Sequence, residues 1–112
     1  MLYTCTDDFF QYAATVRRLS REEEKELGAK MKEGDEEAKE ALITSYLPVL
    51  ASYLKRNSRE TSLAFIYSGL AVLSDSVRKF DFQTEDPTFT RFLGFGIKRM
   101  VTRFLADAPA QR

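Results

Sequence analysis

The sequence predicts an all-α fold, a compact bundle of about five helices, and three observations carry that expectation. No segment alternates apolar and polar residues with the period of two that a half-buried strand requires. Apolar residues recur instead at three- and four-residue spacing along successive stretches. Capping signatures separate those stretches, at Ser20 to Glu23, at Asp35 and at Asp86-Pro87. At 112 residues the chain is expected to form one domain, 1–112, large enough to bury a single core.

The elements follow in order. A first short helix is expected after Thr6, whose hydroxyl can cap it while Asp7 and Asp8 favour its positive end. Phe9, Phe10, Ala13 and Val16 recur along it at helical spacing. Ser20-Arg21-Glu22-Glu23 is a capping box that opens "REEEKELGAKMKE", and Gly34 closes that helix as a left-handed stop. Asp35 caps the next, "EEAKEALITSYLPVLASYLKRN", where Ala38, Leu42, Val49 and Tyr53 form a stripe widened by Leu47, Leu50 and Leu54. Pro48 within it predicts a kink or a break. The polar link "SRETS" leads to a fourth helix from about Ser62 to Phe80, and the loop "DFQTEDP" leads to a last one opened by Asp86 and Pro87.

Composition narrows the function classes. Hydrophobic residues at 44% and charged residues at 30% describe an ordinary globular protein. No run approaches the roughly 20 apolar residues that span a bilayer, and the acidic start "MLYTCTDDFF" lacks a signal-peptide core, so a cytoplasmic location is expected. Cys5 is the only cysteine, and there is no histidine, which removes the usual general base and the commonest metal ligand. With five glycines and no phosphate-cradling loop, the chain is expected to be no enzyme and to need neither cofactor nor metal. The formal net charge is zero but unevenly spread. Ser20 to Ala41 holds nine acids against five bases, and Phe89 to Arg112 five bases against one acid. Such asymmetry fits two surfaces with different partners, and also fits plain solvated helix faces.

The last helix sharpens the question. With successive residues about 100° apart, Phe89, Leu93, Ile97, Met100, Val101 and Phe104 share the core side, with Phe92 at its margin. Phe95 falls opposite, among Arg91, Lys98, Arg99 and Thr102, with Arg103 nearby. Either another helix covers Phe95, or it is a stacking platform for an unpaired base, flanked by cations that hold phosphates. A membrane-surface role fits least, because the apolar face is needed for the core. On the fourth helix, Phe65, Ile66, Leu73 and Val77 turn inward, and Tyr67, Leu70 and Ser74 turn toward solvent. Tyr67 with Leu70 would form a small exposed apolar patch suited to a protein partner.

Two stretches carry a resemblance. "LSREEEKELGAKMKEGDEEAKEALITSYLPVLASYLKR" resembles the start of the structured part of bacterial sigma-70 family sigma factors. "SVRKFDFQTEDPTFTRFLGFGIKRMVTRFLAD" resembles the continuation of the same region-two domain, and the match runs from about Asp8 to Asp107. The resemblance implies a helical unit that docks on the clamp of RNA polymerase and captures flipped-out bases of the promoter −10 element.

Residue by residue, the resemblance places Phe92 where the family's DNA-opening helix presents a Tyr, Phe95 at the first of its two Trp residues and Gly96 at the second. Arg99, Thr102 and Arg103 stand where the family commonly has Gln and then Thr-Arg, and Arg99 would not reproduce a glutamine's bidentate contact with adenine. The family's polymerase-binding pattern, Asp-Leu-Ile-Gln-Glu-Gly-Asn, falls on "AFIYSGL". Gly69 is kept, while Ala64, Tyr67, Ser68 and Leu70 replace polar and acidic contacts. The sequence ends just past the last helix, with no −35-reading helix-turn-helix, so a second subunit or a longer chain would supply that reader. The expectation is a sigma-like protein that binds RNA polymerase core and single-stranded −10 promoter DNA, with a degenerate helical protein-interaction module or regulator as the alternative.

Overall fold

The computed structural model describes residues 6–57, 62–83 and 88–107. They form α1 (Thr6–Thr15), α2 (Arg21–Lys32), α3 (Glu36–Ser45), α4 (Leu47–Asn57), α5 (Leu63–Lys79) and α6 (Phe89–Asp107), and no strand occurs among them. Thr6 lies inside the first helix rather than before it. The expected Asp86-Pro87 helix start and most of the "SRETS" link lie outside the described residues.

Local chemistry sets the boundaries of α2 and α3. The Ser20 hydroxyl accepts from the Glu23 N–H at 3.1 Å while the Ser20 N–H donates to the Glu23 carboxylate at 2.8 Å, a complete capping box. Gly34 ends the turn at φ 97°, a region that side chains with a Cβ rarely adopt. Asp35 then caps α3 by accepting from the Ala38 N–H at 3.1 Å.

A helix kinked or broken at Pro48 was expected from Asp35 onward, and two separate helices are found, so the described residues form six helices. The break falls at Tyr46, whose N–H turns back to the Ile43 carbonyl at 3.1 Å. Pro48 explains its place. A continuous helix would need an N–H at Pro48 for the Thr44 carbonyl, and the ring would clash there. Placed second in α4, Pro48 loses nothing, because first-turn N–H groups have no partner within a helix.

The core lies between α4, α5 and α6, where Leu50, Leu54, Ile66, Leu73, Val77, Leu93 and Ile97 are completely buried. α5 and α6 pack on each other, and α4 packs on both. Gly69 lets α4 and α5 close up, since a Cβ there would lie 3.1 Å from Leu54 Cδ2 and 3.3 Å from Leu50 Cδ1. α1 lays Phe9 and Ala13 inward against α4. α2 packs chiefly on α3.

α2 is strongly polar, so specific contacts hold it. Glu24 is only 5% exposed and accepts from the Tyr46 hydroxyl at 2.7 Å. A buried carboxylate is costly unless so partnered. The Arg18 guanidinium lies over the Tyr46 ring, 5.0 Å from its centre. The segment after α5 seals the other flank: Phe82 is buried under Gly28, Gln83 Nε2 donates to the Lys25 carbonyl at 2.8 Å, and Lys32 pairs with Asp81 at 3.4 Å.

A Cβ at Gly28 would stand 2.7 Å from the Phe82 Cβ, so Gly28→Ala forces the docked segment outward. Alanine gains about 0.5–1 kcal/mol in a helix, and overpacking costs about 1–3 kcal/mol. Urea denaturation should therefore show a net loss of stability, and a gain would mean that Phe82 is not seated on α2. The Tyr46 hydroxyl is held well above the ordinary tyrosine range, first by burial and then by its hydrogen bond to Glu24 and that residue's charge, against a smaller opposing effect of Arg18. Its neutral form thus stabilises the fold fully below about pH 10, where an unfolded tyrosine titrates, and that stability declines as pH rises further. Tyr46→Phe should lower stability at pH 7 by about 1–3 kcal/mol, because Glu24 loses its partner. It should also flatten the alkaline decline, and an equally steep decline in the variant would place the titrating group elsewhere.

Candidate nucleic-acid interface

The candidate interface is built on α6. Its first described turn is capped by Thr88, whose hydroxyl accepts from the Arg91 N–H at 3.3 Å and whose carbonyl accepts from the Phe92 N–H at 3.1 Å. Phe89 fixes the rotation of the helix. It is buried among Tyr46, Phe82 and Phe80, with ring centres at 4.5, 5.2 and 5.3 Å. Leu93, Ile97 and Val101 continue the buried row, and Met100 and Phe104 flank it half-buried. The Phe104 ring meets Phe65 edge-on at 5.1 Å.

The residues expected on the outer side come together there. Arg91, Lys98, Arg99, Thr102 and Arg103 are exposed, and Phe95 is 60% exposed with no helix over it among the described residues. Phe92, Phe95, Lys98, Arg99, Thr102 and Arg103 line one open depression. Phe92 differs from Phe95 in kind. Its ring packs on Phe80 at 5.4 Å and Phe89 at 6.4 Å, so it is the inner wall of the depression, and Phe95 is the free ring.

Two glycines explain why Phe95 stands clear. A Cβ at Gly94 would lie 2.8 Å from the Tyr53 hydroxyl of α4, which itself donates to the Thr90 carbonyl at 3.2 Å. A Cβ at Gly96 would lie 3.0 Å from Val72 Cγ1 of α5. α4 and α5 therefore approach α6 on either side of Phe95, and a Trp at position 96 would meet α5.

The electrostatics of this face are one-sided. Among the described residues, Arg91, Lys98, Arg99 and Arg103 make no ion pair. Asp75 of α5 shares a groove with Arg99 and Arg103 but is engaged by Lys79 at 3.0 Å and by Arg78. Those two cations, Lys79 first, hold its carboxyl below the usual range.

The residues expected on a protein-partner surface also gather, though not as an exposed patch. Phe65, Ile66, Leu73 and Val77 are buried, and Ala64 is exposed. Tyr67, Ser68, Leu70 and Ser74 are half-buried. Tyr67, Leu70 and Ser74 line a groove between α5 and α3, opposite Glu40, Ile43, Thr44 and Leu47. α3 shields on one side what a single-helix projection leaves open.

Sequence reasoning missed a further basic groove. Arg18 and Arg56 line it with Ser52, Tyr53 and Thr90, and the Arg56 guanidinium lies 5.5 Å from the Tyr53 ring centre. Neither guanidinium has a carboxylate partner among the described residues. The two arginines sit on different elements, so no local spacing announces them. No protein-family model matches the chain.

Proposed function

We propose that the protein is a sigma-like region-two domain that acts in transcription initiation by binding, without catalysis. In this reading α6 holds unpaired bases of a promoter −10 strand against Phe95, while Arg91, Lys98, Arg99 and Arg103 engage phosphates. The observation that carries it is the free, 60% exposed ring of Phe95 among cations with no ion pair in the described residues. A core aromatic would be covered, and a solvated charged face has no need of one. RNA polymerase core docks along Ala64, Tyr67, Ser68, Leu70 and Ser74 of α5, and a −35 reader comes from a second subunit or from further chain.

A second reading, a helical interaction module without promoter opening, draws on the α3–α5 groove. Its Tyr67 and Leu70 make the docking surface more apolar than the acidic pattern of the resembled family. With Gly96 where the second Trp would stand, one free ring is left to hold strands apart.

Fluorescence anisotropy with a labelled −10-like oligonucleotide, with and without core polymerase, tests the first reading. Single strand should bind more tightly than duplex, and affinity should fall as salt rises. Phe95→Ala should weaken single-strand binding by about 1–3 kcal/mol with no loss of fold. Arg99→Ala should reduce the salt slope by about 1. Equal binding of duplex, or no effect of Phe95→Ala, would give the lead to the interaction module. A pull-down with core polymerase tests the α5 surface: Tyr67→Asp with Leu70→Asp should abolish capture while circular dichroism stays helical. Undiminished capture would move the docking surface off α5.

A further inference from the structure

Two large hydrophobic side chains are exposed among the described residues, Phe95 and Tyr12, which is 38% exposed. Each lies in a patch of opposite charge. Tyr12 lines a groove between α1 and α3 whose apolar part is Val16, Leu19 and Ala41 and whose rim is Glu36, Glu37 and Glu40. Those three carboxylates are exposed and have no cation partner among the described residues. Arg17, the one cation lining the groove among the described residues, is engaged by Glu23 at 3.5 Å. The α6 face is the reverse image, an aromatic ring rimmed by unpaired cations.

We propose that the acidic Tyr12 groove is the docking site for the α6 face of a second copy of this chain. Charge complementarity selects that occupant: three free carboxylates around an apolar floor meet Lys98, Arg99 and Arg103 around Phe95. The formal net charge of zero means that copies do not repel each other at a distance, so the local complement decides the encounter. The contact joins different surfaces of the two molecules, so it adds copies head to tail. It covers Phe95 and Arg99, and self-association therefore competes with any ligand of α6. The inference stands on the two surfaces themselves, whether or not nucleic acid is that ligand.

Sedimentation velocity on the whole chain reads the association directly. The weight-average mass should rise above 12.9 kDa with protein concentration at low salt. It should return to the monomer value in about 1 M salt, where the screening length is about 3 Å. Glu37→Lys with Glu40→Lys should be monomeric alone, and so should Arg99→Glu with Arg103→Glu. Their equimolar mixture should associate, because each supplies the intact face that the other lacks. Tyr12→Ser, which leaves the charges in place, should lower the mass at every concentration, and circular dichroism checks that each variant is helical. A native chain that stays monomeric at every concentration and salt would overturn the proposal. So would association that survives either charge reversal, or a mixture that stays monomeric.

Discussion

The packing of Phe89 sets the geometry of the rest. Its ring touches Tyr46 at the α3–α4 break, Phe82 in the segment docked on α2, and Phe80 at the end of α5. Four parts of the chain thus meet at one side chain, and aromatic contacts of this kind add about 0.5–1.5 kcal/mol each beyond the area they bury. With Phe89 fixed inward, the turn of about 100° per residue leaves no freedom for the residues that follow. Leu93 and Ile97 return to the core, and Phe95 is carried to the far side. The exposed ring is a consequence of a buried one six residues earlier.

Gly94 and Gly96 complete that arrangement at a cost. Each glycine in a helix interior destabilises by roughly 0.5–1 kcal/mol relative to alanine. Here the loss is offset by close contact, with Tyr53 on one side and Val72 on the other. α4 and α5 flank α6 tightly and leave Phe95 raised between them. An exposed aromatic ring adds no burial energy to the isolated fold, so the natural place to look for its contribution is a bound state. That logic links the packing of the helix to a role in binding and makes the charge around the ring informative. Cations left unpaired beside Phe95 gain most when a polyanion or an acidic surface arrives.

Much of this was legible in the sequence wherever the signal is local. The capping box at Ser20 and Glu23, the Gly34 stop and the Asp35 cap depend on residues within a few positions of one another. The inner faces of α5 and α6 follow from the helical period, and the outward direction of Phe95 with them. What stayed hidden depends on distant partners. Glu24 reads as part of a solvated acidic run, yet Tyr46 draws it into the interior. Phe82 reads as loop, yet the missing side chain of Gly28 makes a seat for it. Val49 and Tyr53 read as core and are half-buried, because the break at Tyr46 turns α4 relative to α3. Tyr67 and Leu70 read as exposed and are half-covered, because α3 lies beside them. Pro48 announced a break, but its position depended on where the proline does least harm, upstream in the chain.

The chain contains no tryptophan, and that makes the central claim directly measurable. Phe95→Trp places a single indole at the exposed position and keeps a ring there for stacking. Its emission should be quenched by a single-stranded −10-like oligonucleotide, because an unpaired base stacks on the indole. The same sequence as duplex, and an abasic strand of equal length and charge, should leave the emission nearly unchanged. Equal quenching by the abasic strand or the duplex, or none by the single strand, would contradict the account of Phe95 as a base-stacking platform.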